Sequence, residues 1–567
     1  MPDHILANAM RPFKKTLLSI VLRYGVWVLA IIYVAIYLID LPSAYTVLDF
    51  FMGKNTQNVL FCLASFVALL GLYDLGQRKH SILRNYPVMG HFRWLFEAAR
   101  PEIRQYLLET DKESVPFSRE QRSLVYRRSK NVSADRPFGT ITDTYSDNHE
   151  FMAHSLQPVP VTDISKFRIQ VGNEACLQPY MASIFNISAM SFGSLSANAI
   201  RALNKGAQLG GFYHDTGEGS ISPYHLEGGG DIVWEIGSGY FGCRNEAGQF
   251  DPEKFRQQAQ LPIIKMIEIK LSQGAKPGHG GILPKEKITP LIAEVRGIPM
   301  GQDCISPSAH SAFSTPLELM SFIQQLRDLS QGKPIGIKLC IGQPWEFMGI
   351  VKAMLENDIY PDFVVVDGAE GGTGAAPIEF SDNLGMPLRE GLLFVHNVLV
   401  GAGIRSKIKL AASGKIISAF DILRVMALGA DWVNSARGFM FALGCIQSQH
   451  CHTNQCPVGV ATQDKHREKA LVVSDKTERV YQFHRNTMKA LAEMLAAAGL
   501  NHSNEVRPWH LVRRISGSEI KSYQQILYFV AERALIDGQE TSHFYKQMWQ
   551  LADSHSFKGQ ADVGMQQ

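Results

Sequence analysis

From residue 184 to residue 434 the chain keeps a regular beat. Short apolar runs end in Gly, Ser or Lys, and stretches with apolar residues at helical spacing follow them. Eight runs fit this description: 184–189, 211–214, 263–269, 299–305, 335–339, 363–366, 408–412 and 431–434. Helical stretches lie between most of them, at 196–209, 285–296, 316–329, 345–357, 388–402 and 418–428. Continuous apolar runs predict strands covered on both faces, hence a parallel sheet flanked by helices. Eight repeats over about 250 residues suit a closed (β/α)8 TIM barrel. An open doubly wound sheet should carry G-x-G-x-x-G after its first strand, and the first run instead ends SAMSFGS, residues 188–194.

The beat breaks twice. Residues 217–260 form a Gly-rich excursion after the second run, and residues 438–468 form a Cys/His-rich excursion after the eighth. Both are expected at strand C-terminal ends, the catalytic face of a barrel. The barrel domain is placed at 151–470, with a C-terminal helical extension at 471–567 packing outside it. Residues 81–150 read as linker and lead-in: 92–109 is amphipathic, and the charge run 118–130 reads as a solvated or membrane-facing linker.

The amino terminus follows another pattern. Residues 17–39 are apolar with Arg23 as the sole charge, and a second apolar stretch runs over 57–75. Arg11, Lys14 and Lys15 precede the first; Arg78, Lys79, His80 and Arg84 follow the second. The positive-inside rule predicts a transmembrane helical hairpin within 1–80, with both ends and the catalytic domain on the cytoplasmic side of the inner membrane. A signal peptide and a buried core helix are the alternatives. The first stretch is long for a signal core, and no small-residue cleavage site follows it convincingly.

Composition adds limits. The net charge is +3, from 56 basic and 53 acidic residues, so charge makes no case for nucleic acid. Eight cysteines in a chain of 567 residues are no disulfide scaffold, and three of them fall within twelve residues: Cys445, Cys451 and Cys456, followed by Pro457. Thiolates suit an iron–sulfur cluster or zinc, and three without a fourth suit a 3Fe–4S cluster. His450, His452 and His466 keep zinc open, because a structural zinc site wants a fourth ligand.

Two further groups of residues carry chemistry. The loop LSQGAKPGHGGILP, residues 271–284, gathers Lys270, Gln273 and Lys276 beside many glycines, as an anion site would, and Arg296 offers a planar fork for a carboxylate. Lys338 ends the fifth run, DGAEGGTGAAP (367–377) the sixth, AASGK (411–415) the seventh and NSARG (434–438) the eighth. Barrel phosphate sites commonly use the loops after strands seven and eight.

Together SAMSFGSLS, HDTGEGS, IEIKLSQGAKPGHGGILP, DGAEGGTGAAP and GCIQSQHCHTNQCPVGVATQD resemble, in order, the motifs of the FMN-binding domain of glutamate synthase. The resemblance implies an oxidoreductase acting on CH–NH2 donors, with FMN and a 3Fe–4S cluster, reducing 2-iminoglutarate to glutamate. It implies that Cys445, Cys451 and Cys456 hold the cluster. Ser188, Ala189, Met190, Ser191, Thr216, Lys270, Lys338, Gly371, Gly372, Ser413 and Gly414 would bind FMN. Gln273, Lys276 and Arg296 would bind 2-oxoglutarate carboxylates, with Ser314 or Thr315 at the substrate edge and Lys270 or Glu218 as the acid.

The chain departs from that pattern in several places. It begins Met1-Pro2 rather than with a glutaminase domain's cysteine, and it is expected to lack both that domain and the carboxy-terminal β-helix. The family's Asp-Gly-Gly at strand seven is Ala412-Ser413-Gly414, and its Pro-Pro-Pro-His-His segment is Pro307-Ser308-Ala309-His310-Ser311. No nicotinamide fingerprint is found, so the expected electron donor is ferredoxin or a separate flavoprotein subunit. Two alternatives stand beside the leading one: amine transfer of the N-methylglutamate synthase kind, and a non-catalytic membrane-bound redox relay.

Overall fold

The computed structural model describes residues 24–38, 54–77, 81–110 and 116–560, and the chain divides into two compact units, Met1–Thr110 and Asp111–Gln567. In the first unit the apolar helix Tyr24–Leu38 runs antiparallel to Lys54–Gly76. Trp27 donates from its indole to the Ala68 carbonyl at 3.1 Å, and Tyr37 stacks on Phe61 with centroids 4.1 Å apart. Among the described residues one helix, Thr56–Gly76, is long and apolar enough to cross a membrane, with a mean hydropathy of 2.0. Residues 17–23 and 39–53, the latter including most of the predicted loop 40–56, lie outside the described residues.

The second unit is built on a closed barrel of eight parallel strands. In chain order these are β1 Phe185–Ile187, β2 His214–Asp215, β3 Ile232–Ile236, β4 Ile264–Lys270, β5 Ile335–Leu339, β6 Phe363–Asp367, β7 Lys409–Ser413 and β8 Trp432–Ser435. β8 closes on β1 through Asn434 opposite Asn186. The count matches the expectation, but one member does not. The run 299–305 supplies no barrel strand; only Cys304–Ile305 is extended, and it pairs with Ile282–Leu283 outside the barrel. The missing strand is β3, inside the Gly-rich excursion. All five of its residues are buried, and its acid, Glu235, points into the barrel where Lys338 meets it. An acid between glycine-rich flanks hides a strand from a search for apolar runs. The 271–284 loop therefore follows the fourth strand, not the third.

Strand alternation then stacks the interior in layers. Met266, Phe363, Val365, Tyr213 and Trp432 fill the lower end, where the hairpin Arg168–Val171 with Tyr180–Ser183 closes the barrel. Two residues further along the same strands come Glu268, Asp367, Asp215 and Asn434, so the mouth is polar because the inward positions change character there. Outside, the helix Val473–Ala497 packs on Ala197–Gly210. The tail is not all helix: Leu511–Ser516 and Glu519–Ser522 form a hairpin extended by Glu150–Met152. The charge run 118–130 is not a solvated linker either. Its helix, Arg119–Ser129, packs on Val473–Ala497, with Val125 fully buried and Arg122 nearly so.

Candidate active site

The strand C-terminal ends surround a cavity of about 180 Å3. Its walls include Ser188, Ala189, Met190, Ser191, Glu218, Lys270, Gln273, Lys276, Lys338, Gly371, Gly372, Ser413, Gly414 and Cys451. Six predicted site residues do not line it. Thr216 is buried at the rim, where its hydroxyl accepts from the Glu235 amide at 3.1 Å. Arg296 sits behind the wall, donating to the Phe192 carbonyl at 3.0 Å. Cys445 and Cys456 are buried in the loop that carries Cys451. Ser314 and Thr315 serve as caps: the Thr315 hydroxyl accepts from the Glu318 amide at 3.1 Å and starts the helix Pro316–Leu329.

Lys270, the last residue of β4, holds the centre. Its ammonium lies 3.2 Å from Glu218 and 3.9 Å from Glu235, and it donates to the Gln273 side chain. Side chains at Gly237 or Gly281 would collide with the Glu218 carboxylate, so those glycines make room for the pair. The backbone of Lys270 is fixed from outside the cavity by His310, whose ring bonds the Lys270 carbonyl at 2.9 Å and the Tyr240 hydroxyl at 3.0 Å. The departing segment 307–311 thus supplies a support through the half-buried His310 ring, and desolvation pushes the His310 pKa down to about 4. Lys276 is also buried, and its pKa is lowered for that reason.

Beneath Lys270 lies a layer of buried charge. Asp215, Glu235 and Glu268 bring carboxylate oxygens within 4.8 Å of one another. Lys338 meets Glu235 at 2.6 Å and Glu268 at 3.5 Å. Like charges this close do not all ionise. Burial, with the neighbouring acids, raises Glu268 well above the usual carboxylate range and raises Asp215 too. Burial would also raise Glu235, but Lys338 and Lys270 together bring it below its ordinary value. Glu235 is therefore the ionised partner of Lys338, and Glu268 is the protonated member.

The cysteine loop meets the cavity from the β8 side. Lys287 donates to the Cys451 carbonyl at 3.0 Å, and an Arg437 nitrogen lies 3.9 Å from the Cys451 sulfur. Among the described residues the acidic trio alone has metal-competent atoms all within 4.8 Å, so the three sulfurs are spread wider than that.

Several wall residues had no prominent sequence signal. Glu235 belongs to the overlooked strand, Lys287 to a short 3-10 turn, and Phe117 to the segment read as linker. Arg437 stood in the NSARG run, yet only folding shows that it bridges the Thr373 carbonyl, at 2.7 Å, and Cys451. The walls fit the flavin implied by the resemblance. Gly371 and Gly372 present bare backbone, and a Cβ at Gly372 would come within 2.8 Å of Arg437. Opposite, the Ser188 and Ser413 hydroxyls meet at 3.2 Å. Ser413, Gly414, Lys415 and Ser435 line one end, a cationic and hydroxyl-rich donor set of the kind a phosphate takes.

The conserved region of glutamate synthase matches residues 141–501 of this chain. The glutamate synthase large subunit-like protein YerD of Bacillus subtilis is 38% identical over 504 residues, covering 82% of this chain and 96% of YerD. An archaeal-type glutamate synthase [NADPH] from Thermotoga neapolitana is 33% identical over 321 residues, 56% of this chain and 60% of that protein. Among solved structures, a flavocytochrome b2 variant with pyruvate bound overlays 80% of this chain and 91% of its own at 13% identity, with a TM-score of 0.40, too loose a likeness to speak to chemistry. With a family region spanning more than half its length and a relative matched almost end to end, this chain belongs to the glutamate synthase family of oxidoreductases.

Proposed function

We propose that this protein is an FMN- and iron–sulfur-dependent enzyme that reduces 2-iminoglutarate, formed from 2-oxoglutarate and ammonia, to glutamate while tethered to the inner membrane. One observation carries the reading: a single cavity is walled by the Lys270–Glu218 pair, by Gln273 and Lys276, and by Cys451. FMN, when bound, supplies hydride chemistry there. Residues 188–191 and the bare backbone of Gly371 and Gly372 would flank its ring, and Ser413, Gly414 and Lys415 would take its phosphate. Gln273 and Lys276 would receive the substrate carboxylates. Lys270, poised between Glu218 and Gln273, would hold the proton taken by the substrate nitrogen. Arg296, behind the wall, would support the site without touching substrate.

Cys445, Cys451 and Cys456, carried on one loop with Cys451 in the cavity wall, would hold a 3Fe–4S cluster. Arg437, shared between the cavity wall and Cys451, links the two cofactor positions. Electrons would enter from ferredoxin or a separate flavoprotein subunit. The antiparallel pair of apolar helices supports a transmembrane hairpin, and the basic residues flanking it would set the catalytic unit on the cytoplasmic side.

The test uses the full chain purified in detergent. Reduced ferredoxin, 2-oxoglutarate and ammonia should give glutamate. NADPH alone should leave the flavin oxidised, and rapid reduction by it would remove the need for a donor protein. Methylamine incorporated in place of ammonia would move the reading to N-methylglutamate chemistry. Reversible reduction of both centres without binding of 2-oxoglutarate would reduce the protein to a redox relay. Carbonate extraction of membranes checks the anchor: release of the chain would refute it.

A further inference from the structure

The helix Arg119–Ser129 and the residue two positions before it precede the family's conserved region, which begins at residue 141. They nonetheless touch both cofactor positions. Phe117 lines the cavity, with its ring centroid 5.8 Å from the Lys415 ammonium, at the end where Ser413 and Gly414 lie. Its edge-to-face partner, 5.3 Å away, is Phe441 in the helix Arg437–Ala442 that leads into the cysteine loop.

That loop is strained. Gln447 and Gln449, between Cys445 and Cys451, hold φ of 60° and 59°, which non-glycine residues keep only where their surroundings enforce it. At Cys445 and Gln447 the enforcing contacts come from residues 117–126. The Gln447 side chain accepts from the Phe117 amide and donates to the Phe117 carbonyl, both at 3.2 Å. Tyr126 donates to the Cys445 carbonyl at 2.6 Å. The segment making these contacts is itself held fast. Ser118 and Gln121 form a capping box at its start, and Asn486 donates to the Arg128 carbonyl at 2.8 Å near its end.

We propose that residues 117–126 are a strap that keeps the cysteine loop in ligating shape and closes the phosphate end of the flavin cavity, making Phe117, Tyr126 and Gln447 positioning residues for both cofactors. The proposal rests on the flavin and cluster reading above. It adds that a segment outside the conserved region completes the site.

The experiment compares the full chain with Phe117→Ala, Phe117→Leu, Tyr126→Phe and Gln447→Ala. Three quantities are read in detergent: hydrogen exchange of the 444–456 amides, FMN affinity by fluorescence quenching, and iron retained on dilution. Loss of one buried hydrogen bond should speed loop exchange about tenfold in Tyr126→Phe and Gln447→Ala, with faster iron loss and a melting temperature lowered by no more than about 2–4 °C. Phe117→Ala should weaken FMN about tenfold, and Phe117→Leu should recover most of that. Should Phe117→Ala fail to fold, Phe117→Leu against wild type and Tyr126→Phe carry the decision. Wild-type exchange in the 444–456 loop of both hydrogen-bond variants, together with wild-type FMN affinity in the Phe117 variants, would overturn the strap. A wild-type chain holding neither FMN nor iron would refute the cofactor reading instead, and loop exchange would still judge the strap.

Discussion

At Lys270, two carboxylates and an amide converge on one ammonium at the edge of an open cavity. Lys270→Gln should keep the fold and the flavin while lowering turnover by about 10²–10⁴-fold, the usual worth of a positioned acid. Steady-state kinetics against flavin content checks it, and near-wild-type turnover would exclude Lys270 as the proton carrier. One layer down the charges are structural. Glu268 has a folded pKa raised above its unfolded one, so its favourable contribution is present below the unfolded value and lost as pH rises through the folded one. Glu268→Gln should therefore match wild type in acid and exceed it in urea resistance at pH 9. Lys338→Met leaves Glu235 buried without its partner and should cost about 3–5 kcal/mol. A fully folded Lys338→Met of wild-type stability would show that the trio carries less charge than the geometry implies.

At the scale of elements, a three-residue strand holds the barrel to its tail. Glu150, in Glu150–Met152, meets Arg389 at 2.8 Å, Arg424 at 3.1 Å, Arg513 at 2.7 Å and the Tyr523 hydroxyl at 2.7 Å. Burial alone would raise its pKa, and these partners bring it down to about 2. Glu150→Gln strands three guanidinium groups around a neutral side chain and should cost about 3–5 kcal/mol, read as a lower urea midpoint. Proteolysis in the Leu511–Ser516 hairpin should rise with it. This element shows why spacing alone failed in the lead-in and the tail. A strand so short carries no periodic signal, and its existence depends on partners more than 350 residues away.

For the molecule as a whole, buried neutral histidines set the acid limit. Burial lowers His310 and His396 to about 4, and His225 and His484 to about 3. Because the folded values lie below the unfolded one, the unfolded chain takes up protons first as pH falls below about 6.5. Each histidine then removes about 1.4 kcal/mol per pH unit until its folded pKa is reached. The depressed Glu150 acts in the same direction at lower pH, since its contribution is lost as pH falls toward its folded value. The raised Glu268 and Asp215 act the other way over this window, so the unfolding free energy of the barrel unit should fall by a net of about 2–3 kcal/mol between pH 7 and pH 5, and a rise would show these histidines to be solvated or already charged.

The chain alone determined the barrel, because continuous apolar strands alternating with helices leave few ways to cover both faces of a sheet. It also pointed to the loops that wall the cavity, since glycine-rich strand ends and three close cysteines stand out in one dimension. Only the folded structure decided which eight segments close the ring. β3 hides an acid whose ionised form is tolerable solely because Lys338, 103 residues away, lies across the interior. Only the structure moved Arg296 behind the wall, made His310 a support and laid the Phe117 segment over the cysteine loop. Each of these depends on desolvation and on contacts between residues far apart in the chain, quantities that local periodicity and composition do not contain.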